Sequence, residues 1–91
     1  MPIAYHSLFS QILKSGTSIG ANIREAEFAE GKEDMRHKLK IALKETNETE
    51  YWIEIFYRSN ILNETQYSSI IGDCKELLKL LIASVNTLNQ Y

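Results

Sequence analysis

Residues Met35 to Phe56 read "MRHKLKIALKETNETEYWIEIF", and this stretch decides the fold. The positions that share its apolar stripe are Met35, Leu39, Ala42, Thr46, Thr49, Ile53 and Phe56. Their alternating spacings of four and three residues follow the 3.6-residue period of one face of an α-helix. The pattern predicts a helix over residues 33–59, ended by Asn60, which can adopt the left-handed conformation.

The same alternating spacing of apolar residues continues on both sides of this stretch. Upstream it predicts a helix over residues 6–30, followed by Gly31 as a left-handed C-terminal residue. Downstream it predicts a helix over residues 64–88, which Asn63 and Gln66 begin as a capping box. The two apolar faces consist of Ile12, Gly16, Ile19, Ile23 and Ala26, and of Tyr67, Ile71, Cys74, Leu78, Leu81, Val85 and Leu88.

The links between these helices are short, so neighbouring helices must run antiparallel. The chain of 91 residues is long enough for one domain with one small core. One proline and four glycines provide too few turns for a β-sandwich or a barrel. We therefore predict a single all-α domain over residues 1–91, an up-down-up bundle of three long helices.

Composition excludes several classes of protein. A net charge of −2 gives no overall basic field to hold nucleic acid. The single cysteine, Cys74, fits a reducing cytoplasm and a place in the core. The start, "MPIAYHS", lacks the features of a secretory signal. The most apolar stretch, Leu77–Ala83, is interrupted by Lys79 and is far shorter than a membrane span. A cytoplasmic protein without a membrane anchor is expected.

No pattern in the sequence predicts a reaction. His6 and His37 lack the spacing of a metal site. Glu25, Glu45 and Glu48 could cluster, but the Glu-x-x-His pairs of di-iron bundles are absent. A phosphate-binding glycine-rich loop is also absent. We predict no catalytic residue, no metal, no cofactor and no small-molecule substrate.

Two features indicate contact with a further helix or subunit. Gly16 and Gly20 each cost a helix interior about 1 kcal/mol, and close approach of a neighbour would offset that loss. On the second helix, Ile41, Trp52 and Ile55 form an apolar strip beside the main stripe, which a three-helix bundle does not need. These five residues are the candidate interface. The alternative is that the core stripe is simply wide.

A basic ridge follows the first half of the second helix. Lys32, Arg36, Lys40 and Lys44 recur every four residues along the face that is expected to point away from the core. Such a ridge could grip the phosphates of RNA or DNA. The alternative is an ordinary solvated face.

Two blocks of sequence resemble a known family. "TSIGANIREAEFAEG" (Thr17 to Gly31) resembles the S-I-P-A-N-I-A-E-G motif of the bacterial four helix bundle proteins, also called ribosomal-RNA intervening-sequence or S23-like proteins. "IALKETNETEYWIEIF" (Ile41 to Phe56) resembles the second block of that family. The chain departs from the first motif at Gly20, Arg24 and Ala26. It also lacks the long first helix that family members usually carry.

The resemblance implies a non-enzymatic helical bundle that assembles into homo-oligomers, in the family pentameric rings. Some family members are encoded within intervening sequences of large-subunit ribosomal RNA genes. One branch binds a reverse transcriptase and nucleic acid through a strongly basic surface, which this acidic chain does not match.

The resemblance also assigns a role to four polar residues. Asn22, Glu25, Glu45 and Glu48 match polar positions of the family motifs, so we expect a buried or interfacial polar network. Asn22 is expected to bond across to the second helix. Such a network can specify one pairing of helices. The predicted function is a non-catalytic, homo-oligomeric assembly module related to four-helix bundles, and the alternative is a nucleic-acid-binding accessory protein that uses the basic ridge.

Overall fold

Three antiparallel helices make up the described chain. In the computed structural model, α1 spans Ile3–Glu27, α2 spans Lys32–Arg58 and α3 spans Glu64–Asn89. The structure describes residues 3–89, and the side chains of residues 3–6, 8 and 9 lie outside that description. The all-α prediction and the order of the three helices are confirmed, with bounds within about three residues of those expected.

α2 lies between the other two helices. Within residues 3–89, no Cα atom of α1 comes within 8 Å of a Cα atom of α3, whereas α2 approaches both helices. The Cα atoms extend over 46 × 23 × 14 Å. The middle dimension is about what three helices occupy side by side at 8–10 Å spacing. The helices α1 and α3 therefore flank α2, and one face of α2 between them is only partly covered.

The small core follows the predicted stripes. Its buried apolar residues are Ile19, Ala26, Ala42, Ile53, Phe56, Ile71, Cys74, Leu81 and Val85. Phe56 is the largest of them, with 2% of its surface exposed. Cys74 lies in this core, where its Sγ is 3.6 Å from the carbonyl oxygen of Thr46, and burial raises the pKa of its thiol. Cys74 is thus a core residue, as its place on the apolar stripe predicts.

The connection between α2 and α3 forms as the sequence predicts. Asn60 adopts the left-handed conformation with φ 62°. Asn63 Oδ1 accepts a hydrogen bond of 2.8 Å from the backbone N–H of Gln66. Gln66 Oε1 in return accepts one of 3.0 Å from the backbone N–H of Asn63. The capping box is confirmed, and it fixes where α3 begins.

The connection between α1 and α2 differs from the prediction. α1 ends at Glu27, and the N–H groups of Phe28 and Ala29 then bond three residues back, at 3.2 Å each. Gly31 was expected as a left-handed C-terminal residue, but it is extended, with φ −170° and ψ 177°. That prediction is wrong because the tightened last turn already ends α1. Gly31 instead stands at the N-cap of α2, without a side chain to cap the helix.

Candidate interaction surfaces

An apolar cleft opens on one face of the helical layer. Its volume is about 230 Å³. The lining residues are Ile12, Gly16, Thr49, Ile53, Phe56, Leu62 and Ile70, so α2 forms the floor and α1 and α3 contribute the walls. Thr49 is the one polar side chain among them, and its Oγ1 already donates a 2.8 Å hydrogen bond to the carbonyl oxygen of Glu45. The cleft therefore offers apolar contact and hardly any polar recognition.

Several large aliphatic side chains of α1 and α3 are exposed, and one of them lines this cleft. Ile70 lines it with 41% of its surface exposed, and Leu13 and Leu80 are 71% and 60% exposed. Leu13 lies three residues before Gly16 on α1, whereas Leu80 lies ten residues beyond Ile70, about 15 Å along α3. The sequence-based interface omitted Leu13, Ile70 and Leu80. Their positions just beside the predicted stripes were the available signal.

The two helical glycines face open space. A Cβ atom built on Gly16 or on Gly20 would meet nothing within 4 Å. The expected close approach therefore has no counterpart among residues 3–89. Gly16 does line the apolar cleft, and Gly20 follows one turn later on the same helix. It stays a prediction that a neighbour from outside the described residues packs closely against these two glycines.

The apolar strip of Ile41, Trp52 and Ile55 is half-buried within the chain. Lys38, one turn before Ile41, reaches α1 through a 3.0 Å ion pair with Glu25. α1 thus passes along this flank of α2 and partly covers it. The indole Nε1–H of Trp52 is buried without a hydrogen-bond partner. The role of this strip in an interface between subunits stays a prediction, and its free area is smaller than the sequence suggests.

Asn22 does not bond across to α2 as expected. Its Nδ2 donates to the carbonyl oxygen of Ser18 at 2.9 Å and to Ser18 Oγ at 3.3 Å, both within α1. The short asparagine side chain reaches the carbonyl one turn back more readily than a neighbouring helix. The hydrogen bonds of Asn22 therefore hold its own helix and leave the pairing of α1 with α2 to other contacts.

The three carboxylates of the expected network are largely solvated. Glu25 and Glu48 are exposed and Glu45 is half-buried. Glu25 pairs with Lys38, and this hydrogen bond and charge raise the pKa of the lysine. In the described part of the chain, no hydrogen bond joins any two of Asn22, Glu25, Glu45 and Glu48. A buried network is therefore not formed within one copy of the chain.

The basic ridge is less uniform than expected. Lys32, Lys40 and Lys44 are exposed. Arg36 is half-buried and does not point away from the bundle, because its Nη1 donates a 3.2 Å hydrogen bond to Oδ1 of Asn89 at the end of α3. Arg36 also lies 3.5 Å from a carboxylate oxygen of Glu33. The expectation of four outward cations is therefore wrong for Arg36.

Within the described residues, no group of three or more His, Cys, Asp and Glu side chains is placed to hold a metal ion. The side chain of His6 lies outside the described residues. None of the three helices, as far as they are described, combines the length and apolarity that crossing a membrane requires.

The fold and its open apolar face define a small all-α helical-bundle protein. Residues 4–83 match the sequence model of the family described as "23S rRNA-intervening sequence protein", and the chain belongs to this family. The resemblance drawn from the two sequence blocks is confirmed. Among curated proteins, no relative matches the chain.

A solved structure agrees with this assignment. The chain is similar to a protein with unknown function from the S23 ribosomal protein family of Bacteroides thetaiotaomicron, known from a crystal structure. The two share 55% sequence identity and superpose with a TM-score of 0.83. The match covers 86% of this chain and 72% of the Bacteroides chain. The shared fold is thus a helical bundle, and the similarity identifies no reaction.

Proposed function

We propose that this protein is a non-catalytic assembly module that acts as a homo-oligomer in the cytoplasm. One observation carries the proposal: within residues 3–89 no Cα atom of α1 lies within 8 Å of a Cα atom of α3, and the apolar face of α2 between them stays partly open. Contiguous exposed apolar surface typically marks a site of protein association. A second subunit would cover this surface and enlarge a core that is small in the single chain.

The shifted pKa values of Cys74 and Tyr67 have structural causes. Burial raises the pKa of the Cys74 thiol, and the hydrogen bond to Glu54 raises that of Tyr67. A buried thiol with a raised pKa is a poor nucleophile. Tyr67 also stacks on the ring of Tyr57, with ring centroids 4.1 Å apart, which supports a packing role. The contacts and shifted pKa values of Cys74 and Tyr67 are better explained by a role in stabilising the fold than by a role in catalysis.

The test is the mass of the protein in solution. Light scattering behind a sizing column should give a discrete multiple of the 10.5 kDa chain across a range of concentrations. A fivefold mass would extend to this chain the ring that the family resemblance implies. A monomer at every concentration up to the millimolar range would contradict the proposal.

Nucleic-acid binding is the second candidate function. Lys40 and Lys44 favour it, because they are exposed one turn apart on the same helix. The affinity for a structured RNA should then fall steeply with salt and be lost when both charges are reversed (Lys40→Glu with Lys44→Glu). The matched control reverses Lys75 and Lys79 on α3, which changes the net charge equally. Equal loss in both double variants, or no binding by the parent protein, would reject this candidate.

A further inference from the structure

We propose that the outer face of α2 binds an unpaired stretch of RNA, with Tyr51 as the platform on which a base stacks. The outer face consists of Lys40, Lys44, Tyr51 and Arg58. This inference rests on the nucleic-acid candidate above and does not depend on self-association. It names the class of nucleic acid, a single strand, and adds an aromatic ring and a third cation to the two lysines.

The four side chains of the outer face follow one line along α2. At about 100° per residue, all four lie within about 40° of one another around the helix axis. The same geometry places them opposite Ala42, which is 0% exposed in the core. All four are exposed. The line from Lys40 to Arg58 is about 27 Å long, which matches about eight nucleotides at a stacked rise of about 3.4 Å.

The cations of the outer face outnumber the acids beside it. Among the described residues, none of the three cations takes part in an ion pair. Two acids flank the line. Glu48 is exposed one turn after Lys44, and Glu54 is half-buried and accepts a hydrogen bond from the hydroxyl of Tyr67. The net charge of −2 adds no long-range attraction, so binding depends on contacts at this face.

Tyr51 provides the feature that distinguishes a single strand from a duplex. It is 60% exposed, and its ring packs against Trp52 with centroids 5.3 Å apart and an angle of 67° between the ring planes. The half-buried Trp52 thus supports a ring that is open to solvent. Unpaired bases stack on aromatic side chains, whereas the bases of a duplex already stack on each other. An exposed ring between cations therefore favours an unpaired strand.

The experiment measures binding of an oligouridylate of about 12 nucleotides and of an RNA duplex of about the same length. Fluorescence anisotropy of the labelled probes gives both affinities. The parent should bind the single strand more tightly. With three phosphate contacts, the logarithm of its association constant should fall against the logarithm of salt concentration with a slope of about −2. Trp52 is the single tryptophan and touches Tyr51, so its emission should change on binding.

Three variants test the stacking contact. Tyr51→Ala should weaken binding of the single strand at least about fivefold, because the ring under the base is lost. Tyr51→Phe keeps the ring and should bind like the parent. Phe28→Ala is the control, because Phe28 is 73% exposed but lies outside α2, and it should also bind like the parent. Circular dichroism verifies that all three variants keep the parent's helix content.

The outcomes separate this inference from the proposed functions. Equal binding by Tyr51→Ala and the parent would overturn it, and so would equal losses in Tyr51→Ala and Phe28→Ala. Equal binding of the duplex and the single strand would overturn it as well. If reversing Lys40 and Lys44 still abolished binding in those cases, the nucleic-acid candidate would stand without Tyr51. A parent that binds neither probe would contradict both, and the assembly function would keep its own test, the mass in solution.

Discussion

The two connections between helices differ in how firmly local contacts define them. Between α2 and α3, a left-handed Asn60 is followed by the reciprocal capping bonds of Asn63 and Gln66. Just beyond, the hydroxyl of Tyr67 donates a hydrogen bond to Glu54 of α2. Between α1 and α2, Gly31 lies at the N-cap with no side-chain bond to the helix.

The packing beside the α2–α3 connection is also tighter than the packing beside the α1–α2 connection. Near the α2–α3 connection, Leu62 and Tyr67, together with Ile12 of α1, pack against the buried cluster of Ile53, Ile71 and Cys74. Near the α1–α2 connection, Met35 and Leu39 line a shallow apolar depression of about 160 Å³ that is open to solvent. The α2–α3 end of α2 is thus fixed by local caps as well as by packing, whereas the α1–α2 end has no side-chain cap and packs more openly.

Removing the largest core side chain should show the strongest contrast between these ends. Phe56→Ala, next to the α2–α3 connection, should lower the free energy of unfolding by about 3–5 kcal/mol, because it leaves a cavity in the core. Leu39→Ala, at the other end, should cost about 2 kcal/mol, since its site already opens to solvent. Urea denaturation measures both values. A cost for Leu39→Ala as large as that for Phe56→Ala would contradict the contrast, because the smaller leucine side chain would then be at least as well packed.

The capping box should contribute the next largest effect. Asn63→Ala removes the acceptor for the N–H of Gln66 and should cost about 1 kcal/mol in urea denaturation. Thr65→Ala, an exposed change in the same first turn, is the control and should stay within about 0.5 kcal/mol of the parent. A similar loss in both variants would show that the cap contributes no more than an ordinary surface position.

The bond between Tyr67 and Glu54 should appear as a dependence on high pH. Glu54 raises the pKa of Tyr67 above its ordinary value of 10.0, so the folded chain holds this proton more firmly than the unfolded chain. The stabilisation is therefore complete below pH 10 and declines as the pH rises through the raised pKa. Comparing urea midpoints at pH 8 and pH about 11, we expect a smaller decline in Tyr67→Phe than in the parent.

The control for this pH dependence is Tyr57→Phe, which keeps a ring stacked on Tyr67. It should follow the parent from pH 8 to pH about 11. If Tyr67→Phe declines as much as Tyr57→Phe, the bond to Glu54 does not stabilise the fold.

The smallest effect on stability should come from changing Gly31 at the start of α2, where no side chain caps the helix. Gly31 is extended, a conformation open to any residue, and a side chain there would meet nothing within 4 Å. Gly31→Ser can cap α2 and should raise the free energy of unfolding by a few tenths of a kcal/mol. Gly31→Ala supplies a side chain without an acceptor and should lower it slightly. A thermal melt of the three proteins tests this order, and a more stable alanine variant would argue against a capping effect.

Local chemistry explains why one connection could be predicted and the other could not. The end of α2 and the start of α3 follow from residues within a few positions of each other, which a sequence displays directly. Gly31 was assigned a left-handed conformation from its type alone. Its extended backbone follows from the early end of α1 at Glu27, which no cap or proline in the sequence announces.

The candidate interaction surfaces, too, could be predicted only in part from the sequence. The periodic stripes located the buried positions, but they could not show that α1 and α3 stay apart. Helix periodicity gives the direction of each side chain around its own axis and leaves the angle between neighbouring helices open. For that reason Ile41, Trp52 and Ile55 were expected to be free although α1 partly covers them, and Ile70 was overlooked although it lines the cleft.

The position of α2 between the other helices also has a consequence for folding kinetics. Within residues 3–89, every pair of helices with Cα atoms within 8 Å of each other consists of two that follow each other along the chain. Each hairpin can therefore form by closing one short loop, without waiting for the distant ends of the chain to meet. Such low contact order is typical of domains that fold in about microseconds to milliseconds. Self-association would then be the slower event, limited by the encounter of already folded chains.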